Sequence, residues 1–262
     1  MNYKAFGLRT LVALVYGPLV IACVWFGGAV LLGLVMIVVA CSYWEYARLV
    51  ERKQAHAQLV PGMVAALAAV VLIDRRPSAL LMWAILAPTL FLIVELYRQK
   101  GSPLLNLGVT LFGAFYYPLF VGSFILVREL PKAYDLTYLK AAKSLLLVIV
   151  VTWVCDTAAY LVGSYWGRHK LIARVSPNKT IEGTVAGFLF GLLSAYICHI
   201  LFIDTLLLSD SLIIGALVGS LGQYGDLFES LLKRDAGVKD SSNLIPGHGG
   251  FLDRFDSLIA VM

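Results

Sequence analysis

Residues 144–164 read Ser-Leu-Leu-Leu-Val-Ile-Val-Val-Thr-Trp-Val-Cys-Asp-Thr-Ala-Ala-Tyr-Leu-Val-Gly-Ser, a long apolar run with one charge, at Asp156. A helix rises about 1.5 Å per residue, so this stretch is long enough to cross the roughly 30 Å hydrocarbon core of a bilayer. Comparable stretches recur at 9–26, 29–47, 59–74, 78–97, 104–127, 184–203 and 212–232. Over the 262 residues the mean hydropathy is +0.84 and only 14% of residues are charged, far outside the range of soluble globular domains. The predicted fold is all-α, a polytopic integral membrane helical bundle of about eight complete spans plus the start of a ninth. It is expected to form a single membrane-embedded domain, with the helices of 1–143 as scaffold and those of 144–262 carrying the site.

The charges say which way the bundle faces. Net charge is +5, but no basic domain separates from the apolar spans, so nucleic acid is not the expected partner. With the N-terminus inside, the inner segments hold fifteen Lys and Arg and the outer loops six. That bias favours a cytoplasmic N-terminus and puts segments 165–183 and 233–256 on the cytoplasmic side. The four cysteines, Cys23, Cys41, Cys155 and Cys198, lie in apolar runs without a C-x-x-C pair and read as packing residues. The run 11–26 follows Lys4 and Arg9 like a signal peptide, yet a second span begins almost at once, so it is expected to be retained. The ninth helix is expected from about Asp256. Ser257 to Met262 is too short to cross, so the native protein is expected to continue, or this chain to be a truncated form of it.

Small residues recur every fourth position at Gly183, Gly187, Gly191 and Ala195, and at Gly215 and Gly219. They mark a close helix-packing face, either within the bundle or between the subunits of a homodimer. Acids inside a span generally face a cavity and a partner. Asp156 and Asp226 fall at equal depth in the inner half of the bilayer under this topology, which lets them converge on one site.

The densest chemistry lies at 230–256, where Lys233, Arg234, Lys239, Asp240, His248, Asp253, Arg254 and Asp256 crowd around a glycine turn at Gly247, Gly249 and Gly250. Asp253 and Asp256 are three residues apart and share a face if the ninth helix has begun. With Asp226 they can supply hard oxygen ligands for Mg²⁺, and Asp156 is a further candidate. Alternatively Asp253 pairs with Arg254 or a nearby Lys at the rim. His248 could hydrogen-bond a phosphate, act as a general acid, or only order the turn, whose glycines let N–H groups approach a phosphate. A second polar element, Ser176-Pro-Asn-Lys179-Thr180-Ile-Glu182-Gly183, reads as a helix opening with Ser176 as cap and Pro177 in the first turn. Lys179 at that helix start would reinforce a phosphate site. The companions of a serine acylase motif are missing, the sequon at Asn178 faces the cytoplasm, and no Walker A loop is present.

Ser230, Lys233-Arg234, Lys239-Asp240, Pro246, His248-Gly249-Gly250 and Asp253-Arg254-Phe255-Asp256 resemble, in order and spacing, the signature of the phosphatidate cytidylyltransferases (CDP-diacylglycerol synthases). The segment 176–183 is similar to a second element of that family. The resemblance implies CTP and phosphatidic acid as substrates, a metal centre at the aspartates with Mg²⁺ and room for a second cation, and a site on the cytoplasmic face of the bacterial inner membrane. It implies catalytic roles for Asp226, Asp253, Asp256, Lys239 and His248. Substrate binding would fall to Ser176, Lys179, Thr180, Glu182, Lys233, Arg234, Asp240, Gly249, Gly250 and Arg254. Two other classes stay open on the residues alone: a cytidylyltransferase for another lipid phosphate, and an ion-coupled transporter using Asp156 and Asp226. The clustering of polar residues at one cytoplasmic edge favours the enzyme.

Overall fold

A computed structural model describes residues 3–129, 137–203, 206–245 and 249–261, with side chains in the first helix from residue 15 onward. Among these residues the long elements are all α-helices: α1 (Tyr3–Phe26), α2 (Gly28–Glu51), α3 (Leu59–Arg75), α4 (Leu80–Tyr97), α5 (Pro103–Glu129), α6 (Tyr138–Trp166), α7 (Ile181–Phe202), α8 (Leu208–Asp235) and α9 (Leu252–Val261). A helix stands at each of the eight expected spans. Among the described residues five stretches are long and apolar enough to cross a membrane: Gly28–Glu51, Pro77–Tyr97, Pro103–Glu129, Tyr138–Trp166 and Ile181–Phe202. With 17 residues α3 is slightly short, and α8 spends its last two turns on Glu229, Lys233, Arg234 and Asp235. The chain is an all-α polytopic membrane protein. Its ninth helix begins at Leu252, four residues before the expected start, so it includes Asp253 as well as Asp256.

The chain divides into two compact units. The first comprises residues 1–129 and 235–254, that is, α1 to α5 and the loop leading into α9. Gly27 and Gly28 both take positive φ, 64° and 52°, which breaks the chain between α1 and α2. The carbonyls freed at the end of α1 are taken by Arg128 of α5, whose Nε donates to Val24 O and Nη2 to Trp25 O, both at 2.8 Å. A buried polar network joins the next three helices. Gln58 Nε2 donates to Phe91 O (2.9 Å) and Glu95 Oε2 (2.8 Å), and Asn106 Nδ2 donates to Glu95 Oε1 (2.7 Å). These bonds compensate the Gln58 and Asn106 amide N–H groups and the Glu95 carboxylate, which would be costly alone in an apolar interior.

The second unit holds residues 130–234 and 255–262. Leu147 and Val151 of α6, Ala195 and Cys198 of α7, and Val218 of α8 form its apolar core. The small-residue stripe packs inside this unit. A Cβ on Gly183 would lie 2.6 Å from Ala159 O, one on Gly187 3.0 Å from Cys155 O, and one on Gly215 2.6 Å from the Ala195 Cβ. Of the two readings open for the stripe, packing within the bundle is the one observed. The cysteines are free thiols, three of them buried, as packing residues should be.

Candidate active site

The second unit assembles an acidic cluster from three helices, α6, α8 and α9. Gly222 and Gly225 of α8 let α9 approach closely. A Cβ on Gly222 would lie 3.1 Å from Val261 Cγ1, and one on Gly225 would collide with Ala260 Cβ and lie 2.8 Å from Asp256 O. Two small residues at this spacing make a groove for the neighbouring helix. The consequence is electrostatic: Asp256 on α9 has Glu229 and Asp226 of α8 and Asp156 of α6 as charged neighbours. Ser257 ties two of these acids together, its Oγ donating to Asp156 Oδ1 (3.2 Å) and its N–H to Asp256 Oδ1 (2.7 Å).

Lys179 supplies the counter-charge. Its Nζ stands 2.7 Å from Asp226 Oδ2 and donates to Gln223 O at 3.3 Å. Asp226 Oδ1 receives Ser230 Oγ at 3.4 Å, one helical turn along α8. The backbone that carries Lys179 is fixed by an antiparallel bridge between Lys170 and Thr180, with Leu171 N donating to Lys179 O at 3.1 Å. Glu182 closes the base of this loop. Its carboxylate accepts the amides of Arg168 (3.1 Å) and His169 (3.2 Å) and lies 2.6 Å from His169 Nδ1.

The structure corrects the expected helix cap. Thr180, not Ser176, caps α7, accepting the Gly183 amide at 3.2 Å, while Pro177 lies in a turn before the helix. Residues 170–180 are used for the bridge, so the helix cannot open at Ser-Pro. Ser176 instead accepts the Lys179 amide on its carbonyl at 3.3 Å.

At the end of α8, Lys233 is buried and pairs with Glu229 at 3.1 Å, whereas Arg234 is exposed. The loop of the first unit carries Lys239 and Asp240, both exposed, and Arg254 at the start of α9, also exposed. Asp253 folds back on that loop, its Oδ2 accepting Ser241 N (2.9 Å), Ser241 Oγ (2.9 Å) and Gly250 N (2.8 Å). Gly249 has φ +85°, and a Cβ there would lie 2.7 Å from Asp253 Oδ2. Glycine is required at 249 on both counts. His248, with Pro246 and Gly247, lies outside the described residues.

Among the described residues no three acids or other ligating side chains are arranged to hold a metal by themselves. The donor chemistry nevertheless fits Mg²⁺, which takes one or two carboxylates and completes its shell with water and substrate phosphates. Asp226, Asp256 and Asp156 are oxygen donors gathered in one neighbourhood. Sequence reasoning missed Ser257, Glu229 and Glu45. Glu45 had a signal, since it is an ionisable residue inside an apolar span.

A sequence model described as the cytidylyltransferase family matches residues 7–262. The chain is similar to the phosphatidate cytidylyltransferase of Bacillus subtilis, 41% identical over 157 residues that cover 60% of this chain and 56% of that relative. Against the phosphatidate cytidylyltransferase of Staphylococcus saprophyticus it is 45% identical over 118 residues, 45% of each. With that of Haemophilus influenzae it shares 45% identity over 123 residues, 45% of this chain and 42% of the relative. The matched segments span about half the length of these curated relatives.

Proposed function

This chain belongs to the cytidylyltransferase family, and on that footing we propose that it transfers CMP from CTP to phosphatidate, giving CDP-diacylglycerol and pyrophosphate. The observation that carries the reading is the 2.7 Å pair of Lys179 and Asp226 set among Asp156 and Asp256. A cation fixed beside gathered carboxylates suits phosphate chemistry in which a metal and basic residues share the charge of two anionic reactants. The similar proteins named above carry the same activity in their names.

An unesterified oxygen of the phosphatidate phosphate attacks the α-phosphorus of CTP. The new P–O bond forms as the bond to the α,β-bridging oxygen breaks, and pyrophosphate leaves with that electron pair. The attacking oxygen is already anionic, so no strong base is needed. Asp226 and Asp256, with Asp156 and Asp253 as further candidates, are the proposed holders of Mg²⁺. Bound there, the ion would neutralise phosphate charge as the bonds change. Lys179 orients the Asp226 carboxylate through its 2.7 Å contact and is close enough to Asp226 to contribute charge to the same phosphates. Arg234, Lys239 and Arg254 are exposed cations and are proposed to hold phosphate oxygens, Arg as a bidentate fork and Lys as a point charge. Holding the two reactants in line supplies much of the remaining acceleration. The site is proposed to face the cytoplasm at a bacterial inner membrane, where CTP is available.

Purified protein given CTP labelled on its α-phosphate, Mg²⁺ and a panel of lipid phosphates tests this. The expected result is label in organic-extractable lipid with phosphatidate, and far less with polyprenyl phosphate or an archaeal-type ether lipid phosphate. Preference for either of the latter would change the substrate. No label with any acceptor would overturn the reading.

A further inference from the structure

A fully buried acid inside an apolar helix needs compensation. Glu45 lies on α2 with 0% exposure, and its carboxylate accepts four hydrogen bonds, all from residues 241–252. Oε1 takes Ser242 Oγ (2.6 Å) and the Phe251 amide (2.8 Å), and Oε2 takes Ser241 Oγ (2.8 Å) and the Leu252 amide (2.8 Å). These two amides stand at the opening of α9, where the first N–H groups of a helix have no partner within it. An anion there also meets the positive end of the helix dipole. Gly250 completes the fit, since a Cβ at that position would collide with Ser241 Oγ and the Glu45 carboxylate.

Only a carboxylate satisfies this arrangement. Each oxygen receives one backbone N–H, and a backbone N–H cannot rotate away as a hydroxyl can. Whichever way a Gln amide were turned, its NH₂ would face one of the two amides, donor against donor. Ser241 extends the hold. Its Oγ, 2.8 Å from Glu45 Oε2 and 2.9 Å from Asp253 Oδ2, shares its one proton between the two acids, while its amide donates to Asp253 Oδ2 at 2.9 Å.

We propose that Glu45 is a positioning residue for the transfer reaction, fixing through Ser241, Ser242 and the first amides of α9 the loop that carries Lys239, Asp240, Asp253 and Arg254. Its catalytic consequence rests on the cytidylyltransferase reading; its grip on the loop does not. Glu45 touches none of the reacting atoms and acts through the backbone it holds.

The test pairs hydrogen exchange with steady-state transfer on the full chain in lipid nanodiscs, for wild type, Glu45→Gln, Ser242→Ala and Glu51→Gln. In Glu45→Gln, exchange should rise in peptides covering 241–253 and not in the other helices. There kcat should fall roughly 10²-fold, more than KM for CTP rises, because a displacement of about 1 Å at reacting groups costs that much. Ser242→Ala removes one donor and leaves both amides held, so it should show a smaller loss of both kinds, and it reads the same question if the Gln variant does not fold. Glu51→Gln, at an exposed acid near the end of the same helix, should change neither. Unchanged loop exchange and kcat in Glu45→Gln would overturn the proposal. Loss of protection throughout the protein, with kcat falling only in step with the folded fraction, would overturn it too. If wild type transfers no label, the catalytic role falls with the proposed function, and the exchange arm alone decides whether Glu45 holds the loop.

Discussion

The Lys179 ammonium stands 2.7 Å from the Asp226 carboxylate, with the two side chains only 23% and 32% exposed. Lys179 precedes α7 and Asp226 lies deep in α8, so the contact fixes the start of one helix against the middle of another. A pair this shielded from water leaves an uncompensated charge when one member is removed.

Asp226→Asn and Lys179→Met should each lower label transfer by roughly 10²-fold or more, the scale seen when a preorganised charge is taken from an active site. Because the two residues act as one unit, the double variant should lose little beyond the worse single variant. Losses that multiply would show instead that they serve separate steps.

Gly225→Ala forces α9 away from α8, since the added Cβ meets Ala260 Cβ and the Asp256 carbonyl. Overpacking of this kind costs about 1–3 kcal/mol, to be read as a lowered melting temperature in detergent. Transfer should fall with it, because the same displacement moves Asp256 relative to Asp226. A variant that melts and turns over like wild type would contradict the close α8–α9 approach.

Thr180→Ala removes the cap on the Gly183 amide and should destabilise by about 1 kcal/mol, with Thr180→Ser recovering most of the loss. Chemical denaturation of the three proteins side by side measures this. Equal stability of all three would mean that the cap is replaced by another group.

The helices were legible wherever the chain is continuously apolar. The expected spans 59–74 and 78–97 correspond to Leu59–Arg75 and Leu80–Tyr97, because nothing but burial or lipid suits such runs. Boundaries drifted where polar residues belong to helices. α8 continues to Asp235 although the expected span stopped at 232, before Lys233 and Arg234, and α9 begins at Leu252 although Asp253 and Arg254 read as loop. Ser176-Pro177 matched a helix opening, but the bridge between Lys170 and Thr180 moved that opening to Ile181. Sequence brought Asp156 and Asp226 together by their equal depth, and Asp226 with Asp253 and Asp256 as shared oxygen donors. The gathering of Asp256 with Asp156 and Asp226 depends on Gly222 and Gly225, whose spacing carries meaning only once α9 is known to pack there. Glu45 carried a signal as an acid in an apolar span, but its partners were hidden, since they lie about two hundred residues further along the chain and are backbone amides and serines.

The most direct measurement is incorporation of α-labelled CTP into organic-extractable lipid by the purified chain with phosphatidate and Mg²⁺, beside Asp256→Asn and beside a chelated sample. Label in wild type that is lost in Asp256→Asn, lost with chelator and restored by added Mg²⁺ is the expected result. Label that persists in Asp256→Asn or in the chelated sample would contradict a metal-assisted transfer at this acidic cluster.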